Sequence, residues 1–430
     1  MRLNNTSNTI ALINGKVETS VVNSETAIYI KDGIIELLGT DKEILTACET
    51  DTTVLDMKGK SIYPGLIDSH IHLLSTGRDI YSRENKLHYP YKEEEIKEWY
   101  EKVKIEILKN GITSVQTDDS DIFESSKQAV DFYKMLAEEK EIPFRITYQL
   151  RIKNEQQLKD YIKSGIFETD IYNFKVGAIV VKVDGEISER TAALKEGYSD
   201  FLGLKGEMLI SSETLIAIIT LAEQIPCQII FDAQGDRAIE EIIKAIATVR
   251  KDKGEESTIY HRIRNLKIGS PQIYKTMKKY GLMVEITPAN IIEDSKIMIK
   301  KVGAERSREN NALKTVLKEK IVLGVGSDSP IHPISPFLNM RYMIQRQDLN
   351  NEPRFGWMPA ERLTLEEAIE TYTLNNAELC GDKNKKGTIS KGAYADVTVF
   401  ITETAENEEI DITKMKVGLT IIDGKIRYIK

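Results

Sequence analysis

The stretch SIYPGLIDSHIHLL, residues 61–74, runs from a short apolar segment into two histidines one residue apart. Ile62, Leu66 and Ile67, broken only by Pro64 and Gly65, suit a strand packed on both faces. On extended backbone, residues two apart point to the same side, so His70 and His72 face one pocket and are able to grip one cation. A bare pair of this kind also occurs in surface loops. The chain on either side decides between the two.

After this strand the sequence alternates strands with helices. Residues 91–111 (YKEEEIKEWYEKVKIEILKNG) place Ile96, Trp99, Val103 and Ile107 three or four apart and end at Gly111, which predicts an amphipathic helix. Then come the strand-like runs GITSVQTDD, PFRITYQLRI, FKVGAIVVKVDG, CQIIFDAQGD, TIYHRIRN, LMVEITP and IVLGVGSD, with helical patterns between most of them, among them residues 214–225 and 236–250. With the opening strand these make eight. Eight strands alternating with helices over about 320 residues match a (β/α)₈ barrel, in which catalytic groups sit at the C-terminal strand ends. His70, His72, Asp184, Asp232, Asn265 and Asp328 all fall there. Both ends of the chain look β-rich, with turns at Asn14-Gly15, Asp32-Gly33, Lys58-Gly59 and Asp423-Gly424. The expected division is a composite β-sandwich from residues 1–62 and 386–430 around a barrel of residues 63–385.

The 430 residues are 41% hydrophobic and 29% charged, with a formal net charge of -8. That is an ordinary globular composition, with no basic field to favour nucleic acid or anionic lipid. No apolar stretch approaches the roughly 18 residues that span a bilayer, and the N-terminus lacks the pattern of a secretory signal. Cys48, Cys227 and Cys380 are odd in number and far apart, which argues against a disulfide framework and for a reducing compartment. The expectation is a cytoplasmic protein acting on a small molecule, with neither nucleic acid nor membrane as partner. Barrels of this size often pair, so a homodimer is included.

Taken together, PGLIDSHIHL, GITSVQTDD, VDGEISERTAAL, AQGDRA, HRIRN, GSDSPIHPISP, ERLTLEEAIETYTLNNA and KGTISKGAYADVTVF resemble the amidohydrolase superfamily, over nearly the whole chain. Their phrasing is similar to the branch that contains N-substituted formamide deformylase. The resemblance implies a divalent metal site in the barrel mouth, zinc first, that activates water against a C–N bond. It implies that His70 and His72 are metal ligands. Asp328 is implied to be both ligand and catalytic proton carrier.

Three of the six ligand positions that the resemblance implies are changed. Where the family has a bridging lysine the chain has Val180, with Lys182 two residues on and about 6 to 7 Å further along the strand. At the fifth strand the family's histidine is Asp232, and at the sixth it is Asn265. Two readings follow. Either one ion survives on His70, His72, Asp232 and Asp328, with manganese or iron as alternatives to zinc in so oxygen-rich a set, or the metal is lost and a polar pocket remains that binds a ligand or partner. Metal-free acid and base chemistry on Asp232, Asp328 and Lys182 is a third. Further pocket candidates are Asp184, Arg190 as a binder of anionic groups, His261 and Asn265 on one face of the sixth strand, and His332 in the loop after Asp328. Asp118 and Asp119 either cap a helix or line the pocket, and His88 is expected at the surface. The connection after His72 is brief compared with the resembled branch, which implies an open mouth.

Overall fold

The computed structural model describes residues 8–18, 25–87, 89–225, 227–253, 259–401 and 412–430. His88 lies outside the described residues, as do residues 402–411 in the C-terminal part of the expected sandwich.

Gly65 is where the chain passes from one sheet to another. Ser61–Pro64 pairs antiparallel with Val397–Ile401, whereas Leu66–Ile71 pairs parallel with Ile112–Thr117. The apolar run read as one strand is therefore two strands in two sheets, and His70 lies within the second of them rather than beyond its end. Gly65 N donates to Asp396 O at 2.8 Å, and a Cβ at Gly65 would meet Thr113 Oγ1 at 2.2 Å, so the close approach admits no side chain.

Eight parallel strands follow one another around the barrel: β1 (Leu66–Ile71), β2 (Ile112–Thr117), β3 (Arg145–Ile152), β4 (Phe174–Lys182), β5 (Gln228–Asp232), β6 (Arg262–Arg264), β7 (Met283–Ile286) and β8 (Leu323–Val325). The ring closes beyond the end of β8, where Asp328 N donates to His70 O at 2.8 Å and His72 N to Ser329 O at 2.9 Å. The expected helices are present as Glu93–Lys109, Ser212–Ala222 and Asp236–Lys253. The first buries Ile96, Trp99, Val103 and Ile107, the stripe its spacing predicts.

The strands follow from alternation. In β3, Ile146, Tyr148, Leu150 and Ile152 belong to the core between barrel and helices, while Thr147, Gln149 and Arg151 point inward. The barrel interior is layered. Ala178, Val180 and Ile230 form a small apolar group. Beside it runs a buried polar network: Glu285 is held by Arg262 Nε at 2.6 Å and Arg264 Nε at 3.1 Å. Arg262 Nη2 donates to Gln116 Oε1 at 2.8 Å and Arg264 Nη2 to Gln149 Oε1 at 2.7 Å. The contacts from β6 to Gln116 on β2 and Gln149 on β3 cross the barrel, while Glu285 stands on the neighbouring strand β7.

The chain ends build two further sheets. One orders Ile34–Gly39, Ala27–Lys31, Thr9–Ile13 and Thr53–Asp56; the other orders Lys425–Ile429, Lys416–Ile422, Val397–Ile401, Ser61–Pro64 and Lys16–Val17. Ile10, Ile28 and Ile35 from the first sheet share a buried cluster with Ile62, Val399 and Leu419 from the second. Among the described residues no helix is long and apolar enough to cross a membrane.

Candidate metal centre at the barrel mouth

β1 delivers His70 and His72, and the loop after β8 delivers Asp328 in left-handed backbone, φ 57°. Asp328 Oδ1 lies 3.7 Å from His70 Nε2 and 3.6 Å from His72 Nε2. One ligand atom from each of the three residues falls within 4.8 Å of the others. The loop positions are set from below by Asp68, whose Oδ1 accepts from His70 N at 3.1 Å and from Ser327 N at 2.9 Å.

The two imidazoles differ in charge. His70 is buried with no hydrogen-bond partner at either ring nitrogen. Burial, with the nearby charges of Arg264, His72 and Arg151, holds its pKa well below the ordinary value, so it is neutral. A buried nitrogen lone pair without a donor is costly unless something fills it, and a divalent cation does so. His72 contacts Asp118 O through Nδ1 at 2.6 Å, which makes Nδ1 the donor and turns Nε2 toward Asp328. Burial works against its charge, but the hydrogen bond and attraction of Asp328, with the Asp118 carbonyl, outweigh it and raise its pKa to about 9. A metal ion must displace that proton to bind. Two imidazoles and a carboxylate around one point are a donor set that fits zinc or a similar ion.

Several expected site residues do other work. Asp232 does not join the three: its Oδ1 accepts from Asn265 Nδ2 at 3.0 Å, and among the described residues the group able to hold a metal is His70, His72 and Asp328. Asn265 reaches Asp232 because its own backbone is left-handed, φ 64°, which turns its side chain out of strand alternation. His261 therefore does not share a face with it. His261 is fully buried, its Nδ1 accepting from Ile229 N at 3.1 Å and its Nε2 3.8 Å from Glu223. It packs on the helix side of the barrel wall with Phe231. Asp184 accepts from the amides of Ala193, Gln234 and Gly235, each at 2.9 Å, and so ties two loops together rather than facing substrate. Arg190 is engaged by both carboxylate oxygens of Asp200, at 3.0 and 2.7 Å, which leaves no free fork for a substrate anion. His332 sits on the loop beside Asp328 but turns its ring toward Glu293, 4.0 Å away. Lys182 is exposed, level with Asp232 in the β4–β5 register, while Val180 is buried. Of the two adjacent acids after β2, Asp119 takes the Leu74 amide at 2.9 Å at the start of the helix Leu73–Ser82, and Asp118 lines the mouth.

Arg151 is the mouth residue that sequence reasoning missed. It pairs through Nε with Asp118 and lies in electrostatic reach of Asp232. The signal was in RITYQLRI, where polar Thr147, Gln149 and Arg151 alternate with apolar neighbours and so face the barrel interior. Glu186, bonded to Gln234 in the same mouth, lies in the loop after β4 and carries no pattern that marks it.

The profile described as "Amidohydrolase family" matches residues 81–428. The chain belongs to the amidohydrolase family. The matched region starts after His70 and His72. The chain is 26% identical over 254 residues to YtcJ of Bacillus subtilis (strain 168), named as a proposed amidohydrolase, the match covering 59% of this chain and 47% of that protein. It is 20% identical over 265 residues to N-substituted formamide deformylase of Arthrobacter pascens, covering 61% of this chain and 47% of that protein. The chain thus spans about half the length of these curated relatives. Among solved structures, an uncharacterized metal-dependent hydrolase from Pyrococcus furiosus superposes with a TM-score of 0.77 over 91% of this chain and 98% of its own, at 18% identity, a likeness of fold.

Proposed function

We propose that this amidohydrolase hydrolyses a non-peptide or cyclic amide bond of a small molecule, with one divalent ion held by His70, His72 and Asp328. The observation that carries the reading is the convergence of three ligand atoms within 4.8 Å, one of them on a buried imidazole whose nitrogens have no other partner. A bound zinc, manganese or iron ion supplies Lewis acidity toward water and the scissile carbonyl. Asp328, at the junction of β1 and β8, takes a proton from the attacking water and returns it to the leaving nitrogen. The Asp118 carbonyl fixes the tautomer of His72. Asp232, bonded to Asn265, contributes negative charge to the opposite wall rather than a ligand. Three free cysteines are consistent with a cytoplasmic setting.

One observation favours a metal-free reading: with His72 raised to about 9, His72 and Asp328 already form a charged pair that satisfies itself. Metal content of the untagged protein, by elemental mass spectrometry, separates the two. The expected result is about one equivalent per chain, lost in the His70→Ala/His72→Ala variant. Asp328→Asn is expected to lower turnover by about 10²-fold or more with an unchanged circular dichroism spectrum. No metal after incubation with zinc would overturn the hydrolase reading in favour of a ligand-binding barrel.

A further inference from the structure

We infer that Arg151 and Lys182 form a carboxylate-binding subsite facing the metal centre, so that the substrate is an amide that also carries a carboxylate. The inference rests on the hydrolase reading for the word amide, and on the residues below for the carboxylate.

Arg151 and Lys182 stand on adjacent strands. Val180 is the register partner of Arg151, and Lys182 is the next inward position of β4. Side chains in this diagonal relation have Cβ atoms about 7–8 Å apart, within common reach of two long cations. Lys182 on β4 stands across the barrel from β8, and Arg151 on β3 lies between it and the β1–β2 side. Arg151 Nε is bonded to Asp118, whose carbonyl accepts from His72 Nδ1 at 2.6 Å, so a single residue separates the guanidinium from the metal centre.

The hydrogen bonds in the mouth are unevenly distributed. These acids of the mouth each accept at least one: Asp118 from Arg151 Nε and from Ser120 N at 3.2 Å, Asp232 from Asn265 Nδ2, and Glu186 from Gln234. Lys267 spends its charge on Asp294 at 2.8 Å. Among the described residues, by contrast, Arg151 Nη1 and Nη2 make no hydrogen bond, and Lys182 makes neither a hydrogen bond nor an ion pair, although Glu186 stands near it. Asp118 fixes the guanidinium by its Nε edge, and the Arg151 side chain keeps 39% of its surface exposed. A guanidinium held on one edge and open at its terminal nitrogens is shaped for a planar, two-oxygen anion. Arg190, which the sequence offered for this role, is closed by Asp200.

The test compares N-acetylglycine, N-acetylalanine and N-acetyl-β-alanine with their methyl esters, using the full chain, by titration calorimetry for binding and by amine release for hydrolysis. The acids are expected to bind at least about tenfold more tightly than the esters, the value of one charge-assisted hydrogen-bonded contact. That preference should collapse in Arg151→Gln/Lys182→Gln, with folding checked by circular dichroism. Should the double variant not fold, Lys182→Gln alone, at an exposed side chain, is expected to weaken the preference. Equal binding of acids and esters, a preference that survives the substitutions, or no binding of either series would overturn the subsite. Preferential binding of acids without amine release would retain the subsite and overturn the hydrolase reading. Amine release from esters as fast as from acids would do the reverse.

Discussion

His261 is held neutral by its surroundings. Burial, aided by the charge of Arg250, pushes its pKa from 6.5 down to about 3. Between those values the unfolded chain binds a proton that the folded chain refuses. Stability therefore falls as pH drops from 6.5 toward 3, by up to ~1.4 kcal/mol per pH unit from this one group. His261→Asn keeps an acceptor for the Ile229 amide and removes the proton site. Urea unfolding at pH 7, 5.5 and 4.5 is expected to show a shallower acid dependence in the variant than in the native chain; identical slopes would mean that His261 titrates normally. At this scale the sequence was a partial guide. The strand-end positions of His70, His72 and Asp328 were legible because alternation and the closing of a barrel bring first and last strands together. The roles of Asp232, Asn265 and His261 were not, since one left-handed residue, Asn265, resets where side chains point and no residue type announces that in advance.

The strands show the same division between periodic and particular. Eight strands and their outward faces could be read from apolar spacing, TIYHRIRN among them, yet that reading did not show that the two arginines of β6 are buried and enter the barrel. Two guanidinium groups there share one carboxylate, Glu285. Removing that charge leaves both cations uncompensated in a site closed to water, which typically costs about 3–5 kcal/mol. Glu285→Gln is thus expected to lower the urea midpoint strongly with little change in the slope of the transition. A midpoint within error of the native chain would show that Gln116 and Gln149 suffice to hold the arginines.

On the scale of the whole molecule, the barrel and the sheets from the chain ends are bolted together at the start of β3. Arg145 gives Asp396 two hydrogen bonds, 2.8 Å from Nε and 3.0 Å from Nη2. It also lies 3.9 Å over the ring of Tyr394. Asp396 in turn accepts from Asp423 N at 3.0 Å, across the last hairpin. Asp396→Asn breaks a pair that is nearly closed to solvent, 16% and 2% exposed, with an expected cost of about 3 kcal/mol. Calorimetry should then show the terminal sheets melting ahead of the barrel; one transition at the native midpoint would mean that the shared strand crossing at Gly65 couples them without this pair. That both ends of the chain were β-rich was readable from turn dipeptides, whereas the crossing was not, because Ser61–Pro64 and Leu66–Ile71 carry the same apolar signature.

The apolar trio of Ala178, Val180 and Ile230 bears on which changes the barrel interior accepts. A lysine placed at Val180 alone would put an ammonium among hydrocarbon, where it would shed its proton or loosen the barrel. Asp232 and Asn265 would still be committed to each other. Accommodating a charge in this layer requires changes at Val180, Ile230, Asp232 and Asn265 in concert, so each single step is penalised before any benefit appears. Directed evolution that accepts one substitution at a time should therefore alter the residues around the mouth far sooner than it places a charge in this layer.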